Sequence, residues 1–259
     1  MSKFETLKKV YRTFGINEVI SLFTRRLLGG RTSNFESLIS YIENNRLPII
    51  DEFSYSNRLI FNFFRIEYTN LELYSFFTNL NSRDERSFFG KEYDLGDLLA
   101  NSMLIYINRM NPKLVLETGV AAGKSSSLIL NALEFNRNGN LISIDITENV
   151  GSLIPNNLKY RWKLLIIKNF KKINFRRIAK QAMGQIDMFL HDSNHQPKWQ
   201  IFEVKTILKA NNKLNVIFVD DISVEFLHFM KSNFSYFDLL VLREKKKFSC
   251  IAFRKFNDC

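Results

Sequence analysis

The sequence predicts an α/β fold in which a doubly wound, mostly parallel sheet of about seven strands ends in a C-terminal antiparallel hairpin. Two observations lead to this prediction. After residue 95, short apolar segments alternate with longer amphipathic ones, which is the pattern of parallel strands joined by crossover helices. Near the C-terminus, two strand-like segments are separated by too few residues for a crossover helix, so these two strands are antiparallel.

Residues 1–93 are predicted to form a helical N-terminal extension. Apolar residues recur at helical spacing over residues 16–27, and the Gly-Gly pair that follows ends this helix. A second helix is predicted over residues 34–44. Residues 53–89 are rich in aromatic side chains, and their pattern favours neither a helix nor a strand.

Residues 94–259 are predicted to form the α/β domain. We predict strands at residues 113–117, 141–145, 163–167, 186–191 and 216–220, and helices at residues 95–108, 124–136, 171–183 and 197–211. The hairpin strands cover residues 237–242 and 248–253, with "REKKK" between them. A dinucleotide-binding dehydrogenase would continue with another parallel unit, so the hairpin argues against that class.

The composition excludes several classes of protein. The 259 residues include only two cysteines, Cys250 and Cys259, so we expect no disulfide framework and a cytoplasmic location. No apolar run reaches about 18 residues, the length that predicts a membrane-spanning helix. The net charge of +11 raises the alternative of a nucleic-acid partner, but the basic residues are scattered and no nucleic-acid-binding module is recognisable.

The stretch "LVLETGVAAGKSSS", residues 114–127, contains the first candidate ligand-binding turn. Its "GKSS" imitates the P-loop of nucleoside triphosphatases, but three residues separate Gly119 from Gly123 where a P-loop has four. "VIFVDD" could imitate the second motif of such enzymes, which keeps that alternative open. Ligands of doubly wound sheets bind beyond the carboxyl ends of the strands, where Asp145 could accept both hydroxyls of a ribose.

The segments "DMFLHDSNH" and "NVIFVDD" are two apolar strands that end abruptly in acids. The two strands should be neighbours in this fold, so Asp192, Asp220 and Asp221 should converge at one edge of the sheet. Three carboxylates that lie close together repel one another unless they are protonated or bind a cation. Hard oxygen ligands favour Mg²⁺ or another hard divalent cation.

The segments "ETGVAAGKSS", "SIDI", "VGSLIPNNLKYRW", "FLHDSNH" and "VDD" occur in the order seen in a bacterial branch of class I S-adenosylmethionine-dependent methyltransferases. This branch resembles the macrocin O-methyltransferase and cephalosporin hydroxylase-like group, and the resemblance covers residues 94–221. It implies a Rossmann-like fold and bound S-adenosylmethionine. The cofactor-binding residues that it implies are Glu117, Thr118, Gly119, Ala121, Gly123, Ser125, Ser126, Asp145, Ile146 and Asp192.

The resemblance also implies a metal centre and a catalytic site. Asp192, Asp220 and Asp221 match the carboxylates that hold Mg²⁺ in metal-dependent relatives. Asp192 and His195 are the candidate catalytic residues, with His195 as the base that removes the acceptor proton. Helix capping by Asp220 or Asp221, and packing by His195, are the structural alternatives.

The predicted reaction is O-methylation of a small molecule, a sugar or a glycosylated metabolite, in natural product or polysaccharide biosynthesis. The alternatives are N-methylation of an amino sugar, methylation of nucleic acid, and a degenerate, non-catalytic protein with the same fold. Two departures from the family pattern bear on the last alternative. Asn194 stands where relatives commonly have Asp, and "NNKLN" replaces the Gly-Gly before the fifth strand.

The N-terminal extension matches no motif of this family. Because its aromatic content exceeds that of a solvated tail, we expect it to form the acceptor side of the pocket or a contact within a homo-oligomer. Its basic helix could alternatively rest on an anionic membrane surface near a lipid-linked substrate.

Overall fold

A computed structural model describes residues 31–67, 89–90, 94–167, 172–181, 185–245 and 247–255. The chain divides into two units, the first ending at Asn45 and the second beginning at Arg46. In the first unit, helix α1 (Arg31–Asn44) buries Leu38 and Ile42. The helix predicted over residues 16–27 and the terminal Cys259 lie outside the described residues.

The described part of the second unit contains one eight-stranded sheet. Its strands are β1 (Ile49–Asp51), β2 (Leu114–Thr118), β3 (Asn140–Asp145), β4 (Trp162–Ile166), β5 (Met188–His191), β6 (Val216–Val219), β7 (Phe237–Glu244) and β8 (Lys247–Arg254). They are arranged in the order β1-β7-β8-β6-β5-β2-β3-β4. Only β8 runs antiparallel to its neighbours, which confirms the predicted parallel sheet with a C-terminal antiparallel hairpin.

Helices connect these strands, and the four that were predicted in this domain lie close to their predicted positions. They are α2 (Asn57–Phe63), α3 (Asp97–Met110), α4 (Lys124–Phe135), a 3-10 helix (Asn156–Arg161), α5 (Lys172–Gln181), α6 (Pro197–Ala210) and α7 (Val224–Asn233). Local capping explains where two of them begin. Pro197 occupies the first turn of α6, and the Ser223 hydroxyl accepts a hydrogen bond from the Phe226 amide at the start of α7.

The core lies on both faces of the central strands, because every residue of β5 and β6 is buried. On one face, the fully buried Tyr106 of α3 packs edge-on against Phe64, with 5.2 Å between ring centroids. Phe64 also contacts Phe218 of β6 and Phe253 of β8. This cluster places α2, which we assigned to the N-terminal extension, in the core of the sheet unit.

Strand β1 is an addition to the predicted seven strands. It comes from residues that the sequence pattern left in the extension, and it pairs parallel with β7 at one edge of the sheet. Three residues are too few to show the alternation from which a strand is recognised. Whether residues 1–93 also form the acceptor side of a pocket stays a prediction. Within the described ranges, no helix is both long enough and apolar enough to cross a membrane.

Candidate active site at the carboxyl ends of the strands

The strand register brings the predicted site residues to one edge of the sheet. Residues at or next to the ends of four neighbouring strands lie in one row, with Thr118 opposite both Ile144 and His191, and His191 opposite Val219. The residues that leave this row side by side are Gly119, Asp145, Asp192 and Asp220. The sheet therefore places the glycine-rich turn between the predicted ribose-binding acid and the predicted metal-binding acids.

The glycine-rich turn passes very close to the backbone that follows β5. Gly119 has a φ of 83°, and a Cβ atom at this position would lie 2.1 Å from the Asp192 carbonyl oxygen. Only glycine fits such an approach. On its other side the turn is held by Gly151 and Leu153, whose amides donate to the carbonyl oxygens of Ala121 and Ala122. Both flanks of the turn are thus fixed to the domain.

Glu117 lies beneath this turn and is completely buried. Its carboxylate accepts hydrogen bonds from the hydroxyls of Ser125 and Ser126, each at 2.5 Å, and of Ser143 at 2.7 Å. Burial raises the pKa of Glu117, while these three donors lower it. Glu117, Ser125 and Ser126 were predicted to bind the cofactor. In the structure both serines donate to Glu117 instead, and these bonds fix the shape of the turn. Direct contact of these three side chains with a cofactor stays a prediction.

Asp145 connects the end of β3 to the turn. One carboxylate oxygen accepts from the Val120 amide at 2.9 Å, and the other accepts from the Ile146 amide at 2.6 Å. Burial raises the pKa of Asp145, and the backbone amides of Val120 and Ile146 oppose that shift. The Thr147 amide also donates to the oxygen bound by Ile146, at 3.3 Å, so backbone amides orient both carboxylate oxygens beside the turn.

Asp192, His195 and Asp220 form a compact group. Each offers one ligand atom, and these atoms lie within 4.8 Å of one another. The His195 Nε2 atom is 4.0 Å from Asp192 Oδ1, and the two side chains are 22% and 10% exposed. Burial and repulsion by Asp220 raise the pKa of Asp192 well above its ordinary value, although Lys247 opposes this. His195 thus joins the predicted cluster.

Asp221, the third predicted metal ligand, is not a member of this group. Strand β6 ends at Val219, and Asp221 has a left-handed backbone with a φ of 48°. The Gln200 side-chain amide donates to the carbonyl oxygens of both Asp220 and Asp221, which fixes this turn. Strand β6 therefore ends before both acids, one residue earlier than the predicted end at residue 220.

Lys247 is a site residue that the sequence analysis missed. Its Nζ atom lies 2.5 Å from Asp220 Oδ2, and the Ser249 hydroxyl donates to Asp220 Oδ1 at 2.9 Å. Burial lowers the pKa of Lys247, but the nearby carboxylates, Asp220 first among them, raise it, and the net shift is upward. The only signal in the sequence was the position of this lysine at the start of the strand that pairs with β6.

The predicted magnesium ion requires carboxylate oxygens at about 2.0–2.1 Å in near-octahedral arrangement. Both oxygens of Asp220 already have partners in Lys247 and Ser249. The arrangement therefore fits an internal ammonium–carboxylate pair, and as it stands it does not fit magnesium on Asp220. The metal stays a prediction, and its binding to Asp220 would require Lys247 to move away from Oδ2.

A second buried carboxylate, Glu203 of α6, also escaped the sequence analysis. It accepts from Thr118 Oγ1 at 2.7 Å and from Trp199 Nε1 at 2.7 Å, and it lies 2.6 Å from His191 Nδ1. The Ser193 hydroxyl donates to it at 3.1 Å. Glu203 thereby ties the end of β2 to the end of β5, and the Thr118 side chain points to it.

Comparisons with known proteins bear on this site. Residues 116–222 match a family model described as a methyltransferase domain, and this segment contains the turn, Asp145, Asp192 and Asp220. A putative O-methyltransferase from Klebsiella pneumoniae has a similar structure, with a TM-score of 0.53 and 14% identity over 77% of this chain and 96% of that chain. Cofactor-bound Rv0187 from MTB is similar with a TM-score of 0.51 and 11% identity, over 71% and 90% of the two chains. A search of curated proteins found no match.

The sheet has a Rossmann-like topology, and within it residues 116–222 form a domain of the S-adenosylmethionine-dependent methyltransferase class. The narrower branch predicted from the sequence, the macrocin O-methyltransferase and cephalosporin hydroxylase-like group, stays a prediction.

Proposed function

We propose that this methyltransferase transfers the methyl group of S-adenosylmethionine to an oxygen atom of a small-molecule acceptor. One observation carries the proposal: the Asp192–His195 pair directly adjoins the glycine-rich turn, since the Asp192 carbonyl fills the space beside Gly119. A cofactor held along that turn would present its methyl group next to an acid and a base.

The chain's own residues supply binding and proton transfer in this mechanism. Asp145 binds the ribose hydroxyls, and the backbone from Gly119 to Gly123 faces the rest of the cofactor. The acceptor hydroxyl forms a bond to the methyl carbon as the carbon–sulfur bond breaks, and S-adenosylhomocysteine leaves. His195 takes the hydroxyl proton, and Asp192 stabilises the resulting imidazolium. Holding the two reactants in line supplies much of the rate enhancement.

The proposed acceptor is a sugar or a glycosylated metabolite. This part of the proposal rests on the sequence resemblance, as does the alternative of N-methylation of an amino sugar. The two reactions differ in the atom that carries the new methyl group, so they are distinguished by NMR of the product. The same measurement applies to any hydroxylated acceptor found in a substrate screen.

A second candidate is metal-assisted O-methylation, in which a divalent cation binds at Asp192, His195 and Asp220. It is favoured by the mutual proximity of one ligand atom from each of these residues. Such an ion would hold the acceptor oxygen and lower its pKa. Loss of turnover after exhaustive EDTA treatment, with recovery on adding Mg²⁺, would establish this candidate.

The test of the proposal is methyl transfer from labelled S-adenosylmethionine to a panel of hydroxylated acceptors. We expect His195→Ala to lower turnover about a hundredfold or more, the usual scale for loss of a general base, while S-adenosylhomocysteine affinity is unchanged. His228→Ala serves as the control because His228 is exposed on α7. Full activity of His195→Ala would contradict the assigned base.

A further inference from the structure

We propose that the Lys247 ammonium group occupies the position at which a divalent metal ion would bind in this site. Methyl transfer by this protein then needs no metal ion. This inference concerns the same site as the proposed function, but its main test does not require an acceptor. It begins from the contact between Lys247 and Asp220, which places an ammonium group on the acid predicted to bind metal.

The pair is built into the sheet. Asp220 follows β6, Lys247 begins β8, and β6 and β8 are neighbours with Val219 opposite Cys250. The Asp220 side chain is only 1% exposed, so its charge needs a partner within the protein. Lys247 supplies that partner at 2.5 Å, and Ser249, two residues further along β8, binds the other carboxylate oxygen.

This arrangement competes directly with a metal ion. Mg²⁺ bound to Asp220 Oδ2 at about 2.1 Å would lie close to the Lys247 ammonium, because both cations would share one oxygen. Two positive charges at that separation repel each other strongly in a partly desolvated site. Divalent binding through Asp220 therefore requires Lys247 to move away.

The ammonium can also do part of the work of the ion that it replaces. It has three N–H donors. The Nζ atom lies 2.5 Å from Asp220 Oδ2 and 3.5 Å from the Asp94 carbonyl oxygen, so these two contacts use two donors and a third can bind the acceptor. The Lys247 side chain is 28% exposed, so an acceptor oxygen can reach it. A positive charge near this oxygen stabilises the negative charge that develops as His195 removes the proton.

The experiment is a Mn²⁺ titration of the full-length protein, in which electron paramagnetic resonance measures free Mn²⁺. We expect no stoichiometric binding to the wild type. Lys247→Met should gain one Mn²⁺ site, since the acids lose their internal cation, and adding Asp220→Asn to this variant should abolish that site. Lys247→Arg, which keeps the charge, should bind as little Mn²⁺ as the wild type.

Lys245→Met is the matched control because Lys245 is an exposed residue of the same hairpin turn. It should behave as the wild type. Retained binding of S-adenosylhomocysteine shows that each variant is folded. Stoichiometric Mn²⁺ binding to the wild type would overturn the inference, and so would a folded Lys247→Met protein that gains no Mn²⁺ site.

A second arm measures turnover and rests on the proposed function. Wild-type turnover should be unchanged by EDTA. In the presence of EDTA, the turnover of Lys247→Met should be about a hundredfold lower than that of the wild type, the scale for lost positioning. Adding Mn²⁺ should restore part of the turnover of this variant. EDTA-sensitive wild-type turnover would overturn the role of Lys247. Absence of turnover with every acceptor would count against the proposed function alone, because the Mn²⁺ titration decides the cation position independently.

Discussion

Asp145 is the residue on which cofactor binding should depend most. Its carboxylate is oriented by the amides of Val120 and Ile146, and it lies beside the glycine-rich turn. We expect Asp145→Ala to weaken S-adenosylmethionine binding by about 1.5–3 kcal/mol, the scale of a charged hydrogen bond. Isothermal titration calorimetry measures this, with Glu148→Ala as an exposed control in the same loop. Equal affinities of the two variants would remove Asp145 from the ribose site.

Glu117 predicts a pH dependence of stability. Burial raises the pKa of this carboxyl in the folded state, so the folded protein binds the proton more tightly than the unfolded chain does. The contribution of Glu117 to the free energy of unfolding is therefore greatest below its unfolded pKa and is lost as the pH rises through its folded pKa.

Urea unfolding of the wild type and of Glu117→Gln over this pH range tests that sign. The free energy of unfolding of the wild type should fall relative to that of the variant as the pH rises, because the amide cannot ionise. Glu225→Gln, at an exposed position of α7, should follow the wild type. Parallel curves for the wild type and Glu117→Gln would show that the carboxyl keeps its ordinary pKa on folding.

Helix α2 should stabilise the domain through one buried aromatic contact. Phe64, directly after this helix, is fully buried against Tyr106, Phe218 and Phe253. We expect Phe64→Ala to lower the free energy of unfolding by about 3–5 kcal/mol, the usual cost of removing a buried aromatic side chain. Chemical denaturation measures the change, and Phe53→Ala, at a side chain that is 92% exposed, should change it little. A similar effect of the two substitutions would contradict the packing of α2 into the core.

The elements were predicted from the sequence more accurately than the contacts between them. Helix α6 was expected at residues 197–211 and spans Pro197–Ala210, because its proline start and apolar period are local signals. Lys247 and Glu203 were missed because their roles depend on which strands are neighbours and in what register. "KKK" in a hairpin turn is typical of a solvated surface, and only the pairing of β8 with β6 brings its last lysine onto Asp220.

At the scale of the whole molecule, the boundary after Asn45 predicts two different truncation outcomes. Removing residues 1–45 leaves the whole sheet, so we expect the truncated protein to fold and to bind S-adenosylhomocysteine. Removing residues 1–93 deletes β1 and α2, exposes the edge of β7 and uncovers Tyr106, so this protein should aggregate.

Circular dichroism and calorimetry of the two truncated proteins test this expectation. Turnover of the shorter truncation then addresses the proposed acceptor role of the N-terminal residues, because cofactor affinity is measured separately. A well-folded protein lacking residues 1–93 would show that β1 and α2 are not needed for the domain to fold. Full turnover without residues 1–45 would confine any acceptor role to residues 46–93.

The pairing of β1 with β7 sets the order in which this protein can be completed on the ribosome. Ile49 is synthesised early, yet its partner Val241 belongs to the penultimate strand. Contacts between residues so far apart in sequence form late, since the intervening chain must first be ordered. The nascent β1 segment therefore remains without its partner until the hairpin of β7 and β8 has emerged from the exit tunnel.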